Sequence, residues 1–521
     1  MTKPISFGEL DFRTVSSLKD GHDAPESDTP LRILIIGDFT GSHSRDTSPD
    51  ISRRKVLEVD RDNLDQVMER LGVTVRLRFD SDEDTELMLM FKELEDFHPD
   101  SLFERLEIFK RLRQTRAALD DARTFEKTAM EIRSWSKADT GGGPLREPTD
   151  KPRSPGQSPR DSASLLDDIL DEASPSPARA SAGSDQDQWN SFLHRIVGPH
   201  IIRQDDNKKQ ELTSTVDEAV SSLMRMILHH RDFQAMEAAW KAVYFLVSRL
   251  ETDSHLKVYL LDISKQDLSA DVRGSEDLRL SGLYRLLVEK SLNTPGADPW
   301  SVIAGNYTFE SSLCDAEVLG RIARIARMAG APFISAAHPG IVGCESLAAT
   351  PDSDDWTDRI KKEDRSAWEA LRHIPETAYL GLAMPGFLLR LPYGRETDPA
   401  ELFGFEEMNT IHEDYLWGNP CIACTLLLAQ SFTRHGWDMR PGTFLEIEGL
   451  PLHIFQTDGE TAVEPCTGAL LTDKACDVIL DSGIMPLVSV KDTDAIRLVR
   501  FQSLHDPPSR LAGRWEQAFQ A

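Results

Sequence analysis

Cys421-Ile-Ala-Cys424 is the spacing at which two thiols could exchange a disulfide. Asn419 can cap a helix and Pro420 can take its first position, which puts Cys421 at a helix N-terminus, where a thiolate is stabilised. Against this, the run continues as Thr425-Leu-Leu-Leu-Ala429, a core sequence, and no second cysteine pair stands at zinc-ribbon spacing. Two small buried hydrophobes are the favoured reading. Gly37-Asp-Phe-Thr-Gly41 follows an apolar run and could cradle a phosphate, but it lacks both G-x-x-x-x-G-K-[ST] and G-x-G-x-x-G. Asp60-Arg-Asp62-Asn63-Leu-Asp65 opens like a calcium loop, yet its sixth and twelfth positions are Asp65 and Leu71 rather than Gly and Glu. His412-Glu413-Asp414 is followed by Leu416, so it is not H-E-x-x-H. His229, His230 and His338 have no ligand-spaced partner, and G-x-S-x-G is absent. We therefore expect no catalytic, metal or cofactor-binding residue and no cofactor, and the enzyme class is set aside.

The elements that would hold these residues follow from periodicity. Ile5, Phe7, Leu10 and Phe12 alternate around Gly8, and a polar, Pro-containing stretch over 20–30 separates this strand from its neighbours. It is therefore a candidate for donation to another partner. Leu31–Ile36 reads as a buried strand. Leu64, Val67, Met68 and Leu71 lie on one helical face behind Asp60, with Gly72 as a left-handed stop. Two alternating runs, 73–79 and 87–91, make a hairpin, and a helix follows His98-Pro99-Asp100 to about Leu119. Beyond residue 189, helices carry Leu212, Val216, Leu223 and Ile227, then Phe233, Met236, Trp240, Val243 and Val247. Strand-like runs at 256–263, 302–305, 332–336, 379–383 and 387–391 alternate with helices, which is an α/β pattern.

Between the two regions, residues 138–188 are dense in Pro, Ser, Gly and charge, too polar to offset their ordering entropy. We read this as a disordered linker joining two folded bodies: 1–137, α+β, and 189–521, α/β. A linker fixes their ratio at one to one and raises their effective concentration to roughly millimolar. Within it, Ser164–Glu172 opens like a capping box and places Leu165, Leu166, Ile169 and Leu170 on one face of a short helix. Such a segment either docks in a partner's groove or packs back onto the large body.

The chain has 521 residues, with 87 acidic and 59 basic ones, for a formal charge of −28. That charge argues against nucleic acid and anionic membrane as partners. No apolar run reaches spanning length, the N-terminus lacks an apolar signal core, and six cysteines are sparse, so direct membrane insertion is not expected and a cytoplasmic location is.

Read in order, these segments resemble the contractile sheath of type VI secretion systems. The first region is similar to the sheath's small subunit (TssB/VipA-like) through Pro30–Gly41, Val59–Asn63 and Phe97–Ser101. The second is similar to the large subunit (TssC/VipB-like) through Asp232–Trp240, Gly305–Phe309, Ala331–Ser335, Tyr379–Leu382, Leu389–Tyr393 and His412–Asn419. The resemblance implies a contractile tail-sheath-like fold and a structural role. Protomers would stack around a tube of Hcp rings, meet a baseplate and contract to drive the tube outward. It also implies that a ClpV-type AAA+ unfoldase recognises the helix carrying Leu165, Leu166, Ile169 and Leu170. Two departures are expected: the two subunits are fused, and the large half lacks the family's C-terminal region. An accessory protein that binds sheath, tube or baseplate without forming a tubule is the alternative.

Overall fold

The computed structural model describes residues 5–10, 25–41, 50–79, 86–135, 209–292, 298–357, 360–408, 412–457 and 459–519. The first region contributes β1 (Leu31–Gly37), β2 (Leu57–Val59), β3 (Val73–Arg78) and β4 (Glu86–Phe91). The second contributes β5 (Leu256–Asp262), β6 (Val302–Phe309), β7 (Phe333–Ala337), β8 (Leu380–Met384), β9 (Phe387–Leu388), β10 (Trp417–Gly418), β11 (Glu446–Ile447), β12 (His453–Thr457), β13 (Glu460–Glu464), β14 (Ile484–Ser489) and β15 (Ile496–Leu498).

Nine of these strands form one sheet in the order β11-β15-β14-β8-β7-β6-β1-β5-β2. β1 pairs in parallel with β5, from Leu31 opposite Leu256 to Gly37 opposite Asp262. On its other edge it pairs in parallel with β6, from Ile33 opposite Val302 to Ile36 opposite Gly305. The parallel strands run on through β7, β8 and β14. Taken in chain order, the run from β5 to β14 reads second, first, third, fourth, fifth, sixth, a doubly wound arrangement with its switch point between β1 and β6. Strands in such a sheet are covered on both faces and need continuous apolar sequence. Leu31, Ile33, Leu34, Ile35 and Ile36 supply it, each at most 1% exposed.

The α/β expectation therefore holds, but the picture of two separately folded bodies needs correction. A strand from the first region is an interior strand of the second region's sheet. By compactness the chain forms one unit from Met1–Leu77, Leu87–Leu102 and Arg225–Ala521, and another from Arg78–Glu86 and Phe103–Met224. Each unit draws chain from both sides of the linker. In the second unit the helix Glu107–Asp120 is tied to the helix Lys209–Leu228, where the Arg116 guanidinium meets Asp217 at 2.6 Å and Lys209 meets Asp120 at 3.0 Å. The physical reason is that a strand buried on both faces must find neighbours on both edges, and β1 has none within its own region except through the other's strands.

Local expectations fared well. The helix Leu64–Leu71 ends at Gly72, whose φ of +67° is open to glycine at no steric cost, although Asn63 rather than Asp60 is its N-cap. β3 and β4 form the expected hairpin. The helix after His98 is broken at Leu106 into Pro99–Arg105 and Glu107–Asp120. The linker and the segment with Leu165, Leu166, Ile169 and Leu170 lie outside the described residues.

Candidate functional site

At the carboxyl end of β1, the corner it shares with β5 is filled by the chain itself. β1 ends in Gly37 and turns through Asp38, Phe39 and Thr40. The amides of Phe39 and Thr40 both donate to Asp262 Oδ1, at 2.8 and 3.1 Å, and the Thr40 hydroxyl donates to Asp262 Oδ2 at 2.8 Å. The turn that could have cradled a phosphate thus holds a carboxylate from β5 instead. Burial pushes the Asp262 carboxyl up, and the Thr40 hydroxyl and Phe39 amide oppose it. Arg54 closes the same corner, donating to the Asp262 carbonyl at 2.6 Å and to the Asp267 carboxylate at 2.6 Å. Below it, Trp240 donates its indole N–H to the Phe39 carbonyl at 3.0 Å and meets the Phe39 ring edge-on at 5.5 Å.

A second contact between the regions surrounds a buried ion cluster. Arg390 donates Nε to Glu237 at 2.7 Å and Nη1 to Glu407 at 2.7 Å. Glu237 is fully buried and Glu407 is 1% exposed. Burial works against charge on Glu407, but Arg390, with the amide of Tyr393 among its helpers, holds the carboxyl down at about 2. One guanidinium bridging two carboxylates is the arrangement that makes buried charge tolerable. The His98-Pro99-Asp100 turn docks beside it: the His98 ring meets Tyr393 edge-on at 4.9 Å, and Asp100 accepts from the amides of Glu401 and Leu402 at 2.8 and 3.1 Å. Phe91 and Phe97 stack at 4.1 Å and both meet Phe233 edge-on. Sequence spacing missed these partners because the groups that meet are far apart along the chain. The same holds for His229, whose ring nitrogens lie 3.5 Å from Glu407 and 3.4 Å from Asp414.

The candidate donated strand lies along its own chain. Glu9 donates its amide to the Glu276 carbonyl at 2.6 Å and accepts from Leu278 at 3.2 Å, a single parallel bridge rather than a ladder. Phe7 lies on the helix Leu313–Ala329 at Gly320, where a Cβ would stand 2.1 Å from its ring. Arg321 donates to the Ser6 carbonyl at 3.2 Å and Arg324 to that of Gly8. Ile5, Phe7 and Leu10 are partly buried against the core, and Phe12 lies outside the described residues.

The C-x-x-C pair is fully buried in the helix Pro420–His435, which Asn419 caps through the Cys421 amide at 3.0 Å. Burial outweighs the helix N-terminus: the Cys421 thiol is pushed well above its ordinary value and that of Cys424 up to about 12. His412 bonds Glu464 at 2.9 Å. Among the described residues no cluster of His, Cys, Asp or Glu is arranged to hold a metal, and no helix is long and apolar enough to cross a membrane.

What the seam can do is bind two stretches of polypeptide into one body. Comparison with known proteins agrees with that division. Residues 210–505 match the family described as EvpB/VC_A0108, tail sheath N-terminal domain, and residues 17–134 match that described as Type VI secretion system, VipA, VC_A0107 or Hcp2. The chain is also 33% identical over 354 residues to the type VI secretion system sheath protein TssC1 of Pseudomonas aeruginosa, covering 66% of this chain and 70% of that protein. This chain belongs to the type VI secretion sheath family. It is a sheath component that carries the small-subunit and large-subunit types in one polypeptide. The motifs that announced the sheath resemblance meet at the seam: Gly37–Gly41 against Trp240, and His98 and Asp100 against 393–402.

Proposed function

We propose that this chain is a preassembled sheath protomer, a mechanical block that does its work in the cytoplasm by docking and repacking and not by catalysis. Copies, alone or with other sheath subunits, stack helically around a tube of Hcp rings above a baseplate and contract to propel it. The observation that carries this reading is the place of β1 between β5 and β6. A strand so held makes β1 of the small-subunit half part of the large half's core, so that strand moves with its host sheet. Contraction is then a switch between two packings of such bodies.

Neighbouring protomers would be linked by exchange of the segment holding Ile5, Phe7, Leu10 and Phe12. Its few main-chain and arginine clips can be remade on another copy without unfolding either one. Leu165, Leu166, Ile169 and Leu170 would be the handle for a ClpV-type unfoldase. Electron microscopy of the purified chain, mixed with full-length sheath subunits and Hcp, tests the assembly. Tubules that carry the chain along their length are expected; decoration of tubule ends alone, or no incorporation, overturns it. In a pull-down, Leu166→Asp with Ile169→Asp is expected to abolish unfoldase capture, and unchanged capture removes that assignment.

A further inference from the structure

A concavity of about 820 Å³ opens between residues 440–445 and 499–516. Its floor is apolar, with Phe501, Leu511 and Trp515 buried beneath it. Its wall is anchored, because Arg514 turns inward and donates to the carbonyls of Trp300 and Ala329, both at 3.0 Å. Three exposed arginines, Arg440, Arg500 and Arg510, stand around it, against one carboxylate, Glu516. Burial pushes the Glu516 carboxyl up while Arg510 pulls it down. Within the described residues neither Arg500 nor Arg510 forms an ion pair. On a chain of charge −28, a positive rim over an apolar floor is out of character with the rest of the composition.

The groove fits an occupant with an apolar face edged by carboxylates. Ser164–Glu172 has that chemistry: Leu165, Leu166, Ile169 and Leu170 together with Asp167, Asp168, Asp171 and Glu172. A short amphipathic segment in a groove is a recurring mode of recognition, and guanidinium–carboxylate contacts set its register. We propose that this groove receives the Ser164–Glu172 segment of a second copy of the chain. Segment and groove are different surfaces, so the contact is heterologous: each copy offers one of each, and the association propagates instead of closing at a dimer. The proposal goes beyond the sheath reading, which needs contacts between copies but names no groove.

Charge reversal on each side separately tests it. Wild-type chain is expected to show a weight-average mass that rises with concentration in sedimentation experiments, less so at high salt. Arg500→Glu with Arg510→Glu, or Asp167→Arg with Asp168→Arg and Asp171→Arg, is expected to abolish the rise while circular dichroism and the melting curve stay unchanged. Mixing the two variants leaves two charge-complementary pairings, the acidic segment of the first with the basic groove of the second and the reversed segment of the second with the reversed groove of the first. The mixture is therefore expected to regain the rise of mass with concentration that each variant alone has lost. The proposal is overturned by a wild-type chain that stays monomeric, by self-association surviving either reversal, or by a mixture that stays monomeric. The two reversals lie in different stretches of chain, so misfolding of one leaves the other to decide. Tubule formation with other sheath chains is read separately by microscopy, so failure here leaves the sheath reading standing.

Discussion

Two segments of the small-subunit half lie on the large-subunit half in opposite ways. β1 is paired on both edges and buried on both faces, and the segment 5–10 is held by one bridge, two arginines and a ring against Gly320. The magnitudes differ accordingly. Each fully buried Leu or Ile contributes about 1.5–3 kcal/mol, so the five in β1 are worth on the order of 10 kcal/mol, comparable to the whole net stability of a domain. Residues 5–10 are held by hydrogen bonds at roughly 1 kcal/mol each and by Ile5, Phe7 and Leu10, which are only partly buried against the core. β1 cannot leave without unfolding its host, whereas release of the N-terminal segment is expected to cost far less. One is integral, and the other is the segment we propose to be exchanged.

The sharpest way to break this contrast is a charge in β1. Ile35→Asp, between Leu260 and Ala304, is expected to cost more than about 4 kcal/mol and to unfold the unit of Met1–Leu77, Leu87–Leu102 and Arg225–Ala521, not the first region alone. A protected sheet in hydrogen exchange of that variant refutes the integral role. Next comes the ion cluster beside the His98 turn. Arg390→Ala strands Glu237 and Glu407 and is expected to cost about 3–5 kcal/mol in denaturant unfolding.

The pH dependence of the same cluster has a definite sign. Glu407 is held near 2 in the fold against an ordinary 4.5. Its contribution is therefore present above pH 4.5 and lost as pH falls towards 2, on the order of 3 kcal/mol in all. Unfolding midpoints for wild type and Glu407→Gln are expected to converge across that window; parallel curves contradict it.

At the weak end of the comparison, Gly320→Val puts side-chain atoms where the Phe7 ring lies. It is expected to release residues 5–10 to protease while lowering overall stability by only about 1 kcal/mol, and an unchanged N-terminal cleavage rate sinks the claim. Least costly of all, native chain should present one of its six thiols to a thiol reagent, because Cys314 is exposed and the other five are buried. Rapid reaction of Cys421 or Cys424 reopens the redox reading.

Much of this was legible along the chain. The run Leu31–Ile36 read as a buried strand, the stripe at Leu64, Val67, Met68 and Leu71 read as a helix, and Gly72 marked its end. These signals are local: apolar period, caps and backbone sterics act over a few residues. The sheath resemblance was legible too, in the motifs around Gly37–Gly41 and Asp232–Trp240.

What no local signal named was the partner of each element. An apolar hexapeptide states that it needs neighbours on both edges, but hydrogen bonds of a parallel ladder are the same whichever strand supplies them. That β1 lies between β5 and β6, that Asp262 fills the turn after it, and that Arg390 joins Glu237 to Glu407 were decided only when distant segments closed on one another. The sequence by itself determined which of the described stretches would be strand or helix and which family they came from. Only the tertiary structure decided that the two halves share one core, because pairing and charge compensation depend on groups brought together across hundreds of residues.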